Sequence, residues 1–182
     1  MEQAGIPFEP FVSGADESVG QDAGAAQTVK TVSVRKAEIA AGVFGVKYAG
    51  DEIAVVAADT VVAIGGEILG KPSGSAEASE MLKKLQGREH TVYTGVAMAF
   101  IAAGNTAREY FMEKTRVFIR ELTSDEIASY VETGEPLDKA GAYAIQGRGS
   151  LLVEKIDGDY NNVVGLPICA VYLTLKKWRF IP

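Results

Sequence analysis

Asp59 is the residue of this sequence whose setting is most suggestive of chemistry. It lies within IAVVAADTVVAI (residues 53–64), a largely apolar run that predicts a buried β-strand. A buried aspartate most often caps a helix or pairs with a lysine or arginine. Here the strand continues beyond Asp59, so capping does not apply, and the small neighbours Ala58 and Thr60 leave room beside the carboxylate. A carboxylate open to a cleft can hold a divalent cation or accept a proton from water.

Lys71 follows in GEILGKP, between Gly70 and Pro72. The proline disfavours a helical conformation at Lys71 and therefore keeps it extended. A lone lysine is most often a surface residue. Because Gly70 and Pro72 fix the backbone around Lys71, this interpretation is less favoured here, and a lysine with a defined position is more favoured.

A second dense region is EPLDKAGAYAIQGRG (residues 135–149), where Asp138 and Lys139 precede a glycine-rich run. The Gln146 amide offers one donor and one acceptor type, the pair needed to read the edge of a pyrimidine ring. The glycines either let a ligand approach the backbone or serve only turns, and the two interpretations are about equally supported.

Other candidate residues give no functional signal by themselves. The single His90 follows a predicted helix end and is interpreted as a surface or capping residue, and Glu17 alone is an ordinary loop acid. The single cysteine excludes an internal disulfide. One histidine and one cysteine are too few for a typical zinc site, so we expect any metal here to be a hard ion held by carboxylates.

Strands and helices intermix around these residues, which predicts an α/β fold with a mixed sheet and flanking helices. The expected strands are residues 52–64, a short return strand or loop at 67–72, 89–104, 107–122 and one beginning near 150. The expected helices are Thr28–Ala41, ended by Gly42, and residues 75–87, 123–136 and 168–180.

The composition limits the classes of partner. The 182 residues suit a single domain, and the net charge of −6 argues against a nucleic-acid partner. The apolar runs are too short to span a bilayer, and no signal peptide is seen. A cytoplasmic protein is therefore expected.

Taken together, five ordered segments resemble the Maf family of nucleotide pyrophosphatases. They are AADTVV, GEILGKP, EASEMLKKLQGREHTVYTGV, GEPLDKAGAYAIQG and GDYNNVVGLP. The resemblance implies one Maf-like domain over residues 1–182, similar to inosine triphosphatases, with two lobes around a cleft. It also implies hydrolysis of nucleoside triphosphates at the α–β phosphoanhydride, with Mg²⁺ or Mn²⁺ as cofactor.

The resemblance assigns the catalytic roles. Asp59 matches the family's catalytic aspartate, as metal ligand, general base or both. Glu17 matches a second metal or water ligand. Lys71 matches the lysine that contacts the triphosphate and offsets charge developing during cleavage.

The resemblance also assigns the substrate contacts. Lys36 matches a phosphate-side lysine, and Lys139 is placed with it as a substrate-binding residue. Thr60 and Gln146 match the branch that prefers dTTP and UTP.

The resemblance departs at the N-terminus. Family members begin with a strand and a Ser-x-Ser-Pro-Arg-Arg loop, whereas this sequence starts near the end of the following helix. The missing segment implies an uncovered sheet edge and the loss of a bidentate phosphate clamp. The sequence leaves open whether the true start lies upstream or this is a short form with impaired catalysis.

Two functions are therefore carried forward. The first is a pyrophosphatase acting on dTTP, UTP and related pyrimidine nucleotides. The alternative is a catalytically weak nucleotide-binding regulator linked to septum formation or cell-division arrest. A homodimer is an open option in either case.

Overall fold

The computed structural model describes residues 1–20, 22–102 and 105–181, so the end of the third predicted strand, residues 103–104, lies outside the described residues. The described part contains five α-helices and five β-strands. In chain order these are α1 (Ala25–Lys47), β1 (Ile53–Ile64), β2 (Glu67–Leu69), α2 (Ser75–Leu85), β3 (Glu89–Ala102), β4 (Asn105–Ile119), α3 (Ser124–Glu132), β5 (Val153–Asp157), α4 (Tyr160–Val164) and α5 (Ile168–Lys177).

The strands form one antiparallel sheet with the order β2-β1-β3-β4-β5. The predicted return strand is β2, which pairs with the end of β1 from Val62↔Leu69 to Ile64↔Glu67. Gly65 and Gly66 join the two strands with φ angles of 57° and 88°. Two successive positive φ angles define a type I′ hairpin, which fits the twist of antiparallel strands. The predicted α/β fold with flanking helices is confirmed, and its sheet is antiparallel where a mixed sheet was expected.

The chain divides into two compact units. Unit 1 contains Met1–Asp59, Gly95–Met112 and Leu166–Pro182, and unit 2 contains Thr60–Thr94 and Glu113–Gly165. The assignment of a single domain to residues 1–182 stays a prediction. None of the described helices is both long enough and apolar enough to cross a bilayer.

In unit 1, side chains from β1 enter two different apolar clusters. Val55 and Ala57 pack with Ala37 and Ala40 of α1. The alternate residues of β1, Ala54, Val56 and Ala58, belong to the other cluster. There they pack with Val171 and Leu175 of α5. Because successive strand side chains point to opposite faces, Asp59 continues the series of Val55 and Ala57 and faces α1.

In unit 2, α2 and α3 share one apolar cluster with the end of β1. Its buried members include Val62, Leu82, Leu85, Ile127 and Tyr130. The first turn of α3 is fixed by a capping box between Thr123 and Glu126. The sequence allowed either Thr123 or Ser124 as the capping residue, and the structure selects Thr123. This cluster supports the chain segment that carries Lys139 and Gln146.

The prediction that Gly42 ends the first helix is wrong. Helix α1 continues to Lys47, and the Tyr48 amide donates to the Phe44 carbonyl at its end. Phe44 packs against the unit 1 cluster and lies 5.2 Å from the Phe11 ring, centroid to centroid. Burial of this ring beyond Gly42 outweighs the roughly 1 kcal/mol that a glycine costs in a helix interior.

Replacement of Gly42 by alanine should therefore stabilise the protein by about 0.5–1 kcal/mol, because the position is helical and exposed. An added methyl group would meet no atom within 4 Å. The measurement is the midpoint of urea unfolding at constant m-value.

Gly95→Ala is the contrasting variant, since its methyl group would lie 2.7 Å from the Val29 carbonyl oxygen. It should destabilise by about 1–3 kcal/mol. A destabilising Gly42→Ala would contradict the helical assignment of this residue.

Candidate functional site

Three of the predicted site residues meet in unit 1. The Lys36 Nζ lies 2.7 Å from Glu17 Oε1 and 2.9 Å from Asp59 Oδ1. We call these residues the acid–lysine cluster. The side chains of Asp59 and Lys36 are 13% and 22% exposed, whereas that of Glu17 is 62% exposed. The cluster therefore has a sheltered side at Asp59 and an open side at Glu17.

Local structure places each member of the cluster. Asp59 faces α1 because of the alternation along β1, and Lys36 lies on α1 next to the buried Ala37. Glu17 comes from the segment that precedes α1. A helix, a strand and a loop thus each supply one charged group.

The loop that carries Glu17 is fixed by a residue that the sequence analysis did not single out. Arg35 Nη1 donates to the carbonyl oxygens of Asp16 and Ser18, at 3.0 and 2.6 Å. The Asp16 carboxylate accepts from the Ser18 amide at 2.9 Å, which closes an Asx turn. The Asp-Glu-Ser spacing is a local signal for that turn, but nothing in the sequence links it to Arg35.

The acid–lysine cluster sets the charge state of Lys36. Burial lowers the pKa of this lysine, but hydrogen bonds from its ammonium group to Glu17 and Asp59 outweigh burial and raise the pKa overall. Lys36 is therefore a cation at neutral pH. The cluster as a whole carries two carboxylates and one ammonium group.

A cavity of about 590 Å³ lies in unit 1 beside Lys36. Apolar residues of β1 and α1 dominate its wall, together with aromatic side chains from the N-terminal segment, Phe8 and Phe11. Such a wall offers few hydrogen-bond donors to a phosphate group. The acid–lysine cluster, rather than this cavity, is therefore the candidate for phosphate chemistry.

In unit 2 the structure brings the segments of Lys71 and Lys139 together. The Gly141 amide donates to the Gly70 carbonyl oxygen at 3.0 Å. Lys139 forms an ion pair with Asp138. The pKa of the Asp138 carboxyl is lowered mainly by its hydrogen bond from Lys139 and to a smaller extent by the charge of Lys71. Two lysines predicted to bind substrate therefore act on the same carboxylate.

Thr60 and Gln146, the predicted base-reading residues, also lie in unit 2 and differ in their hydrogen bonding. The Thr60 hydroxyl is 2.8 Å from the Thr94 hydroxyl and 3.4 Å from the Gly165 carbonyl oxygen. The Gln146 side chain is exposed, and no partner within the described residues is found for its amide. Gln146 therefore has both its donor and its acceptor available.

The interpretation of His90 as a surface or capping residue is wrong. His90 is 3% exposed, and its Nε2 lies 2.7 Å from the Tyr143 hydroxyl. Burial lowers the pKa of His90 to about 4. The signal was in the sequence, because strand alternation places His90 on the same face as the buried Val92 and Thr94.

Comparison with known proteins extends the similarity to nearly the whole chain. The family described as Maf-like protein matches residues 1–178. The chain belongs to this family. The match includes every residue of the acid–lysine cluster and the predicted substrate contacts of unit 2, whose individual roles stay predictions.

Curated relatives carry a more specific name. A dTTP/UTP pyrophosphatase of Caldanaerobacter subterraneus subsp. tengcongensis is 45% identical over 97% of this chain and 82% of the relative. Another from Bacillus cereus is 46% identical over 98% of this chain and 88% of the relative. A third, from Pelotomaculum thermopropionicum, is 42% identical over 99% of this chain and 90% of the relative.

The buried His90 predicts a pH dependence of stability. Its folded pKa lies below the unfolded value of about 6.5, so between these two values the unfolded chain binds the extra proton. Acidification from pH 7 to pH 5 should therefore remove about 2 kcal/mol of stability through this residue.

His90→Gln is the comparison, since glutamine does not titrate. Urea unfolding of both proteins at pH 7 and pH 5 isolates the contribution of His90 from that of the carboxylates. The stability difference between wild type and variant should shrink at pH 5. An unchanged difference would mean that His90 is not buried in its neutral form.

Proposed function

We propose that the protein is a nucleoside triphosphate pyrophosphatase that converts dTTP, UTP and related pyrimidine nucleotides to the monophosphate and pyrophosphate. The observation that carries this proposal is 42–46% identity, over nearly the whole chain, to proteins named dTTP/UTP pyrophosphatase. The acid–lysine cluster supports it, because hydrolysis of a phosphoanhydride needs a base for water and a cation for the phosphate charge.

In this proposal Asp59 is the group that acts on water. The water oxygen forms a bond to the α-phosphorus, the bond from that phosphorus to the bridging oxygen breaks, and pyrophosphate leaves. Asp59 accepts the proton of the attacking water, which a sheltered carboxylate at hydrogen-bond distance is able to do. Lys36 remains protonated beside it and offsets negative charge on the phosphate.

A divalent cation, Mg²⁺ or Mn²⁺, is the proposed cofactor. Glu17 and Asp59 each place a carboxylate oxygen within 2.9 Å of the Lys36 Nζ, so two hard oxygen ligands converge on one small region. Within the described residues no group of three His, Cys, Asp or Glu side chains could hold a metal. Two carboxylates fit Mg²⁺, which in nucleotide sites typically takes the rest of its ligands from phosphates and water. When bound, the ion would neutralise phosphate charge.

The residues of unit 2 are assigned to the substrate. We propose that Lys71 and Lys139 contact the phosphates and that Thr60 and Gln146 lie at the base. The free amide of Gln146 supports this assignment, since uracil and thymine present an acceptor at O4 and a donor at N3. Cytosine has the reverse pattern, a donor at N4 and an acceptor at N3, so an amide held in the orientation that pairs with uracil does not pair with cytosine.

Asp59→Asn tests the catalytic assignment, because it keeps the size of the side chain and removes its charge. The rate of pyrophosphate release from UTP, measured with Mg²⁺ or Mn²⁺, should fall by roughly two to four orders of magnitude. Asp157→Asn is the matched control, as Asp157 is exposed and paired with Arg116 outside the proposed site. Near-normal turnover by a folded Asp59→Asn protein would remove Asp59 from the mechanism.

Gln146→Glu tests base recognition. A carboxylate repels uracil O4 but accepts from the amino group of cytosine, so the kcat/KM ratio of UTP to CTP should fall by roughly tenfold or more. Gln27→Glu, which adds the same charge at an exposed position of α1, should leave this ratio unchanged. Equal losses for all nucleotides would show that Gln146 does not read the base.

A further inference from the structure

The Glu135 carboxylate makes an unusual set of contacts in unit 2. Its Oε1 accepts from the Gly149 amide and from the Tyr130 hydroxyl, both at 2.9 Å. Its Oε2 accepts from the Arg148 amide at 3.0 Å. One carboxylate therefore receives three hydrogen bonds, two of them from the backbone of a segment 13 and 14 residues further along the chain.

The glycines after Gln146 make this arrangement sterically feasible. A methyl group at Gly147 would lie 2.6 Å from Glu135 Oε2, and one at Gly149 would lie 2.2 Å from the Ala144 carbonyl oxygen. Gly147 also has a φ of 60°, which favours glycine. The contacts of these two glycines favour the interpretation that they serve the chain conformation rather than the approach of a ligand.

Tyr130 extends the contact to the other side of Gln146. Its hydroxyl donates to Glu135 and accepts from the Ala144 amide at 3.2 Å. Glu135 thus holds the backbone before Gln146 through Tyr130, and the backbone after it directly. Gln146 itself has extended dihedral angles, φ −99° and ψ 174°, between these fixed points.

We propose that Glu135 is a positioning residue for Gln146, and that its carboxylate fixes the backbone on both sides so that the glutamine amide is presented to the pyrimidine. This inference rests on the proposed function, in which Gln146 reads the base. Glu135 does not contact the base or the reacting phosphate in this assignment. Its effect is on selectivity, through the placement of one amide.

The chemistry of the carboxylate explains why a close analogue should fail. Burial raises the pKa of Glu135, but the hydrogen bonds from Gly149, Arg148 and Tyr130 outweigh burial and lower it overall, so the group is ionised at neutral pH. A carboxamide has a single acceptor oxygen, so its NH₂ group would face the Arg148 amide in one orientation and both the Gly149 amide and the Tyr130 hydroxyl in the other. At least one donor would lose its partner, and the segment that carries Gln146 would shift.

The test is Glu135→Gln, with steady-state kinetics on UTP and CTP. For UTP the KM should rise roughly five- to tenfold while kcat changes by less than about twofold, because a misplaced hydrogen bond to the base weakens binding. The UTP to CTP ratio of kcat/KM should fall with it. Glu132→Gln is the matched control, since Glu132 is an exposed acid at the end of α3.

A double-mutant cycle separates positioning from general destabilisation. If Glu135 acts through Gln146, then Glu135→Gln should cost UTP hydrolysis little in a Gln146→Ala background. Additive losses, or equal losses for UTP and CTP, would overturn the proposal. If Glu135→Gln does not fold, Tyr130→Phe replaces it in the cycle, because it removes only the hydroxyl that links Glu135 to Ala144.

Wild-type activity separates failure of this inference from failure of the proposed function. A wild-type protein that releases no pyrophosphate from any nucleotide overturns the proposed function and this inference together. An active wild type with unchanged selectivity in the folded Glu135→Gln variant overturns only the role of Glu135.

Discussion

The sharing of one lysine ammonium by two carboxylates is the interaction on which the candidate chemistry of this protein depends. Lys36 holds Glu17 and Asp59 within hydrogen-bond distance of a single atom, and both carboxylates in turn keep it protonated. Without the lysine, two carboxylates beside the same point would repel each other. The ammonium group therefore allows two carboxylates to lie close together in a partly sheltered place.

The two units hold their predicted site residues in place by different kinds of contact. In unit 1 the positions are set by side-chain charges on a helix, a strand and a loop, with Arg35 bonded to the carbonyls on either side of Glu17. In unit 2 the Gln146 segment is held by backbone amides that converge on Glu135. Side-chain ion pairs suit groups whose charge takes part in chemistry, whereas backbone contacts fix a segment and leave its side chains available for a ligand.

The sequence predicted those features whose physical cause is local. The β1 pattern and the cap of α3 depend on neighbours a few residues apart, so the strand around Asp59 was predicted and the cap was narrowed to Thr123 or Ser124. The end of α1 was misplaced, because it depends on packing of Phe44 against residues distant in the chain. The contacts of Arg35 and Glu135 span 13 to 19 residues of sequence and carry no periodic signal. That Glu17, Lys36 and Asp59 belong to one site could be predicted only from the family resemblance.

The overall charge of −6 raises the question of how such a protein would bind a polyanion. The long-range field is unfavourable, so attraction must come from local cations. Yet Lys36 is already paired with two carboxylates, and Lys139 with Asp138. In the proposed function, a triphosphate would therefore compete with internal carboxylates for these lysines. The free energy gained on binding would be the difference between two ion pairs rather than the strength of one. A divalent cation at Glu17 and Asp59 would change that balance, because it would occupy the carboxylates and leave the Lys36 ammonium group for phosphate. In the proposed function, the acid–lysine cluster would therefore combine carboxylates that suit a hard metal ion with a lysine for a physical reason. A need for the metal ion would then follow from charge balance as much as from the hydrolytic step.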